Sequence, residues 1–329
     1  MAKVSIKKIK YIKIPTLGVI FFSILLAGTS FYSGISWAKS KAQPATTATG
    51  ATSSNVFTVN KTNRPEFKFY VMSFCPYGNQ MEDILRPVAD LLGTKADIRP
   101  QYIFGKIPNL SEYCKQRSGD PAQCASYVSS GYFKTEAECK TTITASSKTC
   151  LDEKNYIKAS DGTLYDSLHG RIEANQDIRE ICAWNQVQDK KQWWNFVDNV
   201  NKSCTAQNAD TCWEEQAKKA GLDTNKITEC FNKDAISLIE KEVAETEKYK
   251  VSGSPTLILN GVSFPPESAY TQDGKGTLKI GEKIAEQAKY RTPNVIKEAI
   301  CLAFKKAPKE CETVLNELDG QAPAAGGCN

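Results

Sequence analysis

The chain has 329 residues, 41% of them hydrophobic and 24% charged, the balance of a soluble globular protein with length to spare for a full core. Its formal net charge of +5 is modest, and much of the excess lies in the first 41 residues. No basic stripe interleaved with aromatics occurs in the remainder, so a nucleic-acid-binding surface is excluded.

Residues 1–38 read as a targeting segment. Lys3, Lys7, Lys8, Lys10 and Lys13 precede an uncharged run from Ile14 to Ala38, and no acidic residue occurs before Glu66. The run is long enough for a membrane span, which needs about 20 residues, and the lysines ahead of it favour a cytoplasmic N-terminus with everything downstream exported. Ser36-Trp37-Ala38 also has the small-x-small pattern of a cleavage site, so a signal anchor and a secretory signal peptide compete. The anchor is slightly favoured. The Ser/Thr/Ala-rich stretch 39–62 then reads as a flexible linker, too polar to offset the entropy of ordering it.

The run FKFYVM (67–72) predicts a buried strand. After it, Met81, Ile84, Leu85, Val88 and Leu92 form a helical stripe over 76–92, with Pro76 suited to the first position and Gly93 to the stop. Cys75 therefore falls at a helix N-cap. ADIRPQYIF (96–104) predicts a second strand, and the spacing suits a parallel crossover. From 105 to 163 no regular pattern emerges, and Cys114, Cys124, Cys139 and Cys150 read as staples. Residues 170–248 read as mainly helical. SPTLILNGVSF (254–264) predicts a hairpin turning at Asn260-Gly261. A last helix starts at Pro293 behind a Thr292 cap, and the flexible tail 316–329 carries Cys328. This order is that of an α/β thioredoxin-like fold over 63–315, with a large, disulfide-rich helical insertion at about 105–250.

The chain holds twelve cysteines. With export they imply a disulfide framework. No Cys-x-x-Cys pair occurs and His169 is the one histidine, which argues against zinc; neither a metal nor an organic cofactor is expected. Setting Cys75 and Cys328 apart leaves ten, enough for five bridges of any connectivity.

The placement of CPYG, the helical block and SPT before a hairpin resembles the thioredoxin-superfamily disulfide oxidoreductases. More narrowly, SLHGRIEANQDIREIC (167–182) is similar to the signature of the gamma-interferon-inducible lysosomal thiol reductase family. His169, Gly170, Glu173 and Cys182 match that signature in spacing. Ser167, Leu168, Ala174 and Asp177 stand where it has Cys, Gln, Cys and Asn, and Gly78 replaces the family's second active-site cysteine. The resemblance implies a cis-proline at Pro255 beside the reactive cysteine, with Ser254 and Tyr77 as substrate-facing neighbours.

The expected chemistry is thiol–disulfide exchange through Cys75, since a helix N-terminus favours the thiolate that attacks disulfides. A lone cysteine cannot release itself from a mixed disulfide, which points to isomerisation or monothiol exchange. Cys328 could act as an internal resolving thiol, although a terminal cysteine is more often free or intermolecular. Expected partners are disulfide-bearing proteins or peptides, a redox partner, and the membrane through residues 1–38; the expected place is extracytoplasmic, anchored or secreted. The rival expectation is a non-catalytic module that binds peptides or partner proteins. His169 is read as a locally hydrogen-bonded loop residue before a proton carrier, and the tryptophans 184, 193, 194 and 213 as core.

Overall fold

Strand β2 (Glu66–Val71) is buried along almost its whole length, on both faces, with Lys68 buried among its apolar residues. The computed structural model, which describes residues 56–265, 279–280 and 292–315, shows why. β2 is an interior strand, parallel to β3 (Asp97–Tyr102) on one side and antiparallel to β7 (Thr256–Leu259) on the other. β8 (Val262–Ser263) completes the order β3-β2-β7-β8. β3 pairs with β2 alone in this sheet, which is why Pro100 is tolerated within it. The hairpin turns at Asn260 and Gly261, both at positive φ, and the Asn260 side chain accepts the Glu66 N–H at 2.8 Å, tying the turn to the start of β2.

Helix α1 (Pro76–Leu92) links β2 to β3 and buries Met81, Leu85, Val88 and Leu92, the stripe legible in the sequence. The fold is thioredoxin-like, with helix-rich additions and five disulfides among the described residues. These described residues fall into two compact units. Residues 109–152 form the first, with α2 (Leu110–Ser118), α3 (Cys124–Ser129) and α4 (Glu136–Cys150). Cys114–Cys150 ties α2 to α4, and Cys124–Cys139 ties α3 to α4. The stretch expected to be irregular is therefore largely helical. Its helices lack an apolar stripe because cross-links, with Ile143 and the cysteines as the buried centre, replace an amphipathic face. The legible signals were the caps: Asn109 and Thr135 accept the N–H groups of Glu112 and Glu138.

The second unit holds the four-stranded sheet, α1, a small antiparallel sheet of β4 (Gly105–Ile107), β6 (Leu164–Asp166) and β5 (Ile157–Lys158), a late helix over 293–302, and four helices between. These are α5 (Arg171–Gln186), α6 (Lys190–Ser203), α7 (Ala209–Lys219) and α8 (Thr224–Tyr249). Cys182–Cys230 joins α5 to α8 across a sequence separation of 48, a closure worth about 4 kcal/mol in the chain-entropy picture. Cys204–Cys212 closes the α6–α7 turn, and Cys301–Cys311 ties the last turn of α9 (Pro293–Leu302) to the segment after it. The expected pairing of the ten internal cysteines is met.

Aromatic packing fastens the helices to the sheet. The Phe69 ring of β2 stacks on Trp194 at 5.7 Å, and Trp193 lies edge-on to Trp194 at 4.8 Å. Trp193 is fully buried, and its indole N–H donates to the Glu180 carbonyl at 2.9 Å.

The linker expected over 39–62 ends earlier than the composition suggests. Val56–Phe57 forms β1, parallel to β9 (Lys279–Ile280). Phe57 packs on Phe264 at 5.1 Å, and Thr62 exchanges backbone hydrogen bonds with Ala303 and Lys305. Phe57 and Val59, packed on the core, suffice to anchor an otherwise polar stretch. Residues 1–38, most of the linker and the tail 316–329 with Cys328 lie outside the described residues. Among the described residues no helix is long and apolar enough to cross a membrane.

Replacing Trp193 by Ala removes a filled core site and its hydrogen bond together. The expected loss is about 3–5 kcal/mol, read as a lower denaturant midpoint in oxidised protein.

Candidate active site around Cys75

β2 ends at Val71, and the chain turns through Ser73 and Phe74, with the Cys75 N–H bonded to the Met72 carbonyl at 3.0 Å. Cys75 is the N-cap of α1, in extended conformation and without a side-chain capping bond. Its sulfur therefore sits at the positive end of the helix dipole, which favours a thiolate. Across the site the Ser254–Pro255 peptide bond is cis, and the Ser254 carbonyl oxygen lies 3.7 Å from Cys75 Sγ. That contact acts against the dipole, because a carbonyl can accept a hydrogen bond from a thiol but has none to offer a thiolate. Met72, Tyr77, Ile103 and Leu168 surround the cysteine. Cys75 is buried and disulfide-bonded. The ten other described cysteines are bonded among themselves.

Gly78 occupies the position one turn into α1 where a dithiol site would carry its second sulfur. A Cβ there would stand 2.7 Å from Ser254 Oγ, with the Met72 carbonyl and Val71 Cβ at 3.4 Å. Ser254 is itself buried, and its hydroxyl has no hydrogen-bond partner among the described residues. The serine hydroxyl fills the space beside Gly78, so restoring a side chain at 78 requires Ser254 to rotate or shrink.

The signature residues meet the same loop from the other side. Gly170, at φ 91°, is the N-cap of α5. Three residues on, Glu173 is fully buried and accepts the Phe74 N–H at 3.0 Å, the Ser167 hydroxyl at 2.7 Å and the His169 N–H at 2.8 Å. The His169 ring Nδ1 lies 2.7 Å from the same carboxylate, so the histidine is locally engaged. One turn along, Asp177 accepts the Ser73 N–H at 2.9 Å and its hydroxyl at 2.6 Å. Two α5 carboxylates thus hold the two backbone N–H groups immediately before Cys75. Cys182 belongs elsewhere, in its bridge to Cys230. Cys328 is outside the described residues.

Glu173 was singled out in the sequence as a signature residue, but that it belongs to a set of buried acids was missed. Glu173, Asp177 and Glu180 recur at helical spacing on one face of α5, a signal that could have been read as an acidic stripe. Burial first, then the neighbouring Glu173 charge, pushes Asp177 well above the ordinary carboxyl range. Glu82 of α1 is raised by burial and by Glu180, against a hydrogen bond from Asn201. Burial lifts Glu180 to about 7 despite hydrogen bonds from Gln176 and Tyr102. Glu242 of α8 is likewise raised to about 7 by burial, opposed by the Tyr102 N–H. No group of residues suited to a metal ion occurs among the described residues.

Residues 93–267 match the family described as the vacuolar sorting receptor thioredoxin-like domain, which is 175 of the 329 residues. The chain belongs to that family. The matched stretch takes in β3, helices α2 to α8, Ser254, Pro255 and the hairpin, and begins after Cys75 and α1. No curated protein matched the sequence. Similar solved structures include oxidised and reduced DsbA from Mycobacterium tuberculosis, each at 14% identity. They cover 79% of this chain and 94% and 93% of theirs, with TM-scores of 0.39 and 0.37. A putative protein disulfide isomerase from Nitrosomonas europaea aligns at 11% identity, over 60% of this chain and 84% of its own, with a TM-score of 0.33.

The acids set a pH dependence of stability. A carboxyl raised on folding keeps a proton that the unfolded chain has released, so its contribution is whole below about pH 4.5 and is lost as pH rises through about 7. Glu180 and Glu242 should each remove about 3 kcal/mol over that window. Glu180→Gln should flatten its share, measured as denaturation midpoints from pH 4 to 8.

Proposed function

We propose that this protein performs thiol–disulfide exchange through Cys75 on protein or peptide substrates, in an oxidising, extracytoplasmic compartment. The observation that carries the reading is the place of Cys75: at the N-terminus of α1, facing the Ser254 carbonyl, and engaged in a disulfide. The five further bridges support an oxidising compartment. Residues 1–38 would deliver the folded part across a membrane, as an anchor or as a cleaved signal. A redox partner would return Cys75 to its working state. The closer kinship with the gamma-interferon-inducible lysosomal thiol reductases belongs to this proposal, and the contact of Glu173, which His169 also engages, with the Cys75 loop supports it.

In this reading the Cys75 thiolate attacks one sulfur of a substrate disulfide and the other leaves as a thiolate. The dipole of α1 stabilises the attacking charge. Glu173 and Asp177 keep the loop backbone from shifting as the sulfur changes partners. Ser254, Pro255 and Tyr77 border the sulfur where an extended substrate would lie, and Gly253 and Ser254 precede β7, so a peptide could pair with their backbone.

A non-catalytic module that binds partner proteins is the second reading. It is favoured by one observation: Ser254 Oγ stands against the position where a dithiol enzyme would carry its second sulfur.

Mildly reduced protein should reduce a disulfide-bearing peptide, and Cys75→Ser should lower the rate to background, followed by thiol release. Equal rates in the two would leave the binding module. Gly78→Cys alone should gain little because of Ser254, whereas Gly78→Cys with Ser254→Ala should raise turnover at least tenfold through a resolving thiol one helical turn away.

A further inference from the structure

A disulfide broken at this site must release one of its sulfurs into apolar surroundings, since Met72, Ile103 and Leu168 pack around Cys75. An alkyl thiolate, with an ordinary pKa of about 8.5, departs poorly into such a place unless it is handed a proton. The two acids that grip the loop, Glu173 and Asp177, are wholly buried and lie out of direct reach of water. His169 differs: its side chain is 35% exposed, and its Nδ1 lies 2.7 Å from Glu173. We propose that His169 is the proton carrier of this site, giving a proton to the substrate sulfur that leaves and taking one from the thiol that follows.

Three observations fit the imidazole to this task. Glu173 Oε1 contacts both His169 Nδ1, at 2.7 Å, and the Phe74 N–H, at 3.0 Å, so one oxygen bridges the ring to the residue before Cys75. Leu168, directly ahead of the histidine, packs against Met72 and Cys75, which joins the two loops at a second point. Glu173 also accepts the Ser167 hydroxyl at 2.7 Å and the His169 N–H at 2.8 Å. A carboxylate with these donors calls for the proton on Nδ1, which leaves Nε2 as the nitrogen that gains and loses one. The nearby charged groups engage backbone: Arg171 of α5 donates to the Lys154 carbonyl at 2.7 Å, and Asp166 of β6 accepts the Ser167 N–H at 2.8 Å. Asp177 of α5 is bonded to Ser73, and Cys75 and Tyr77 are the titratable groups at the start of α1 in the cluster that Leu168 joins.

The proposal deepens the exchange reading of Cys75 and rests on it. The Cys75 thiolate attacks one sulfur of the substrate disulfide. The bonding pair of the broken S–S bond goes with the other sulfur, which takes the Nε2 proton and departs as a thiol, while the imidazolium becomes neutral imidazole. Cys75 is then held in a mixed disulfide. A second thiol, from the substrate or from a small molecule, gives its proton to Nε2 and attacks the substrate sulfur of that mixed disulfide, releasing Cys75 as a thiolate. One disulfide and one thiol are exchanged for another of each, with no net change in electrons or protons. Glu173 is a positioning residue in both halves, because its carboxylate orients the ring while it holds the loop.

The test uses the full-length chain, reduced mildly with dithiothreitol and desalted, and one uncharged peptide whose cysteine is joined either to mercaptoethanol or to nitrothiophenol. The alkyl sulfur needs a proton to leave, whereas the nitroaryl sulfur leaves readily as a thiolate. Both reactions draw on the same Cys75 thiolate, so the ratio of their rates isolates the proton donor. In wild type the alkyl-to-aryl ratio should fall at least about tenfold from pH 5.5 to pH 8, as the imidazolium is lost. His169→Gln should lower that ratio about tenfold or more at pH 5.5 and make it independent of pH. A partial loss of folded protein lowers both rates alike and leaves the ratio untouched. A wild-type ratio independent of pH would overturn the proposal, and so would a His169→Gln ratio equal to that of wild type at every pH. In either case exchange at Cys75 stands and the role of His169 falls. If wild type is no faster than Cys75→Ser on both substrates, the exchange reading falls, and the proposal with it.

Discussion

Two carboxylates on one helix face hold the loop on which the rest of the site depends. Glu173 accepts the N–H of Phe74, and Asp177 accepts the N–H and hydroxyl of Ser73. The loop joins an interior strand to α1, and its geometry decides where the sulfur of Cys75 lies relative to the helix dipole and the Ser254 carbonyl. Charged groups at such depth are costly unless they are paired or neutralised. Glu173 meets the cost with four hydrogen-bonding contacts. Asp177 meets it in part by holding its proton, and one of its oxygens has no partner among the described residues. The helical block is thus more than cover for the sheet, because it carries the groups that position the candidate nucleophile.

The other wall of the site is made by the chain entering β7. Ser254 brings a carbonyl to Cys75 and a hydroxyl to Gly78, so one residue both restrains the thiolate and occupies the space of a local second sulfur. Gly78 and Ser254 are a matched pair: the missing side chain on one is the room used by the other.

The framework was readable because its signals are local. The stripe from Met81 to Leu92, the run FKFYVM and the Asn260-Gly261 turn each bury or bend in a way that a few neighbouring residues dictate. Residues 109–152 were not readable in the same terms. Their helices are held by Cys114–Cys150 and Cys124–Cys139, and a cross-link leaves no periodic apolar face. The anchoring of Val56–Phe57 and Thr62 escaped for a related reason, since its partners at 279–280, 264 and 303–305 are remote in sequence.

The sequence by itself determined the thioredoxin-like order of elements, the N-cap position of Cys75 and the presence of a disulfide framework, because each follows from spacing along the chain. Tertiary structure alone decided which cysteines pair, that Glu173 and Asp177 grip the loop before Cys75, and that Ser254 stands against Gly78. It also decided which acids keep their protons, since Glu180 and Glu242 differ from surface glutamates only in what surrounds them. Those are contacts between groups up to about 180 residues apart, and nothing in the local chemistry of either partner specifies the other.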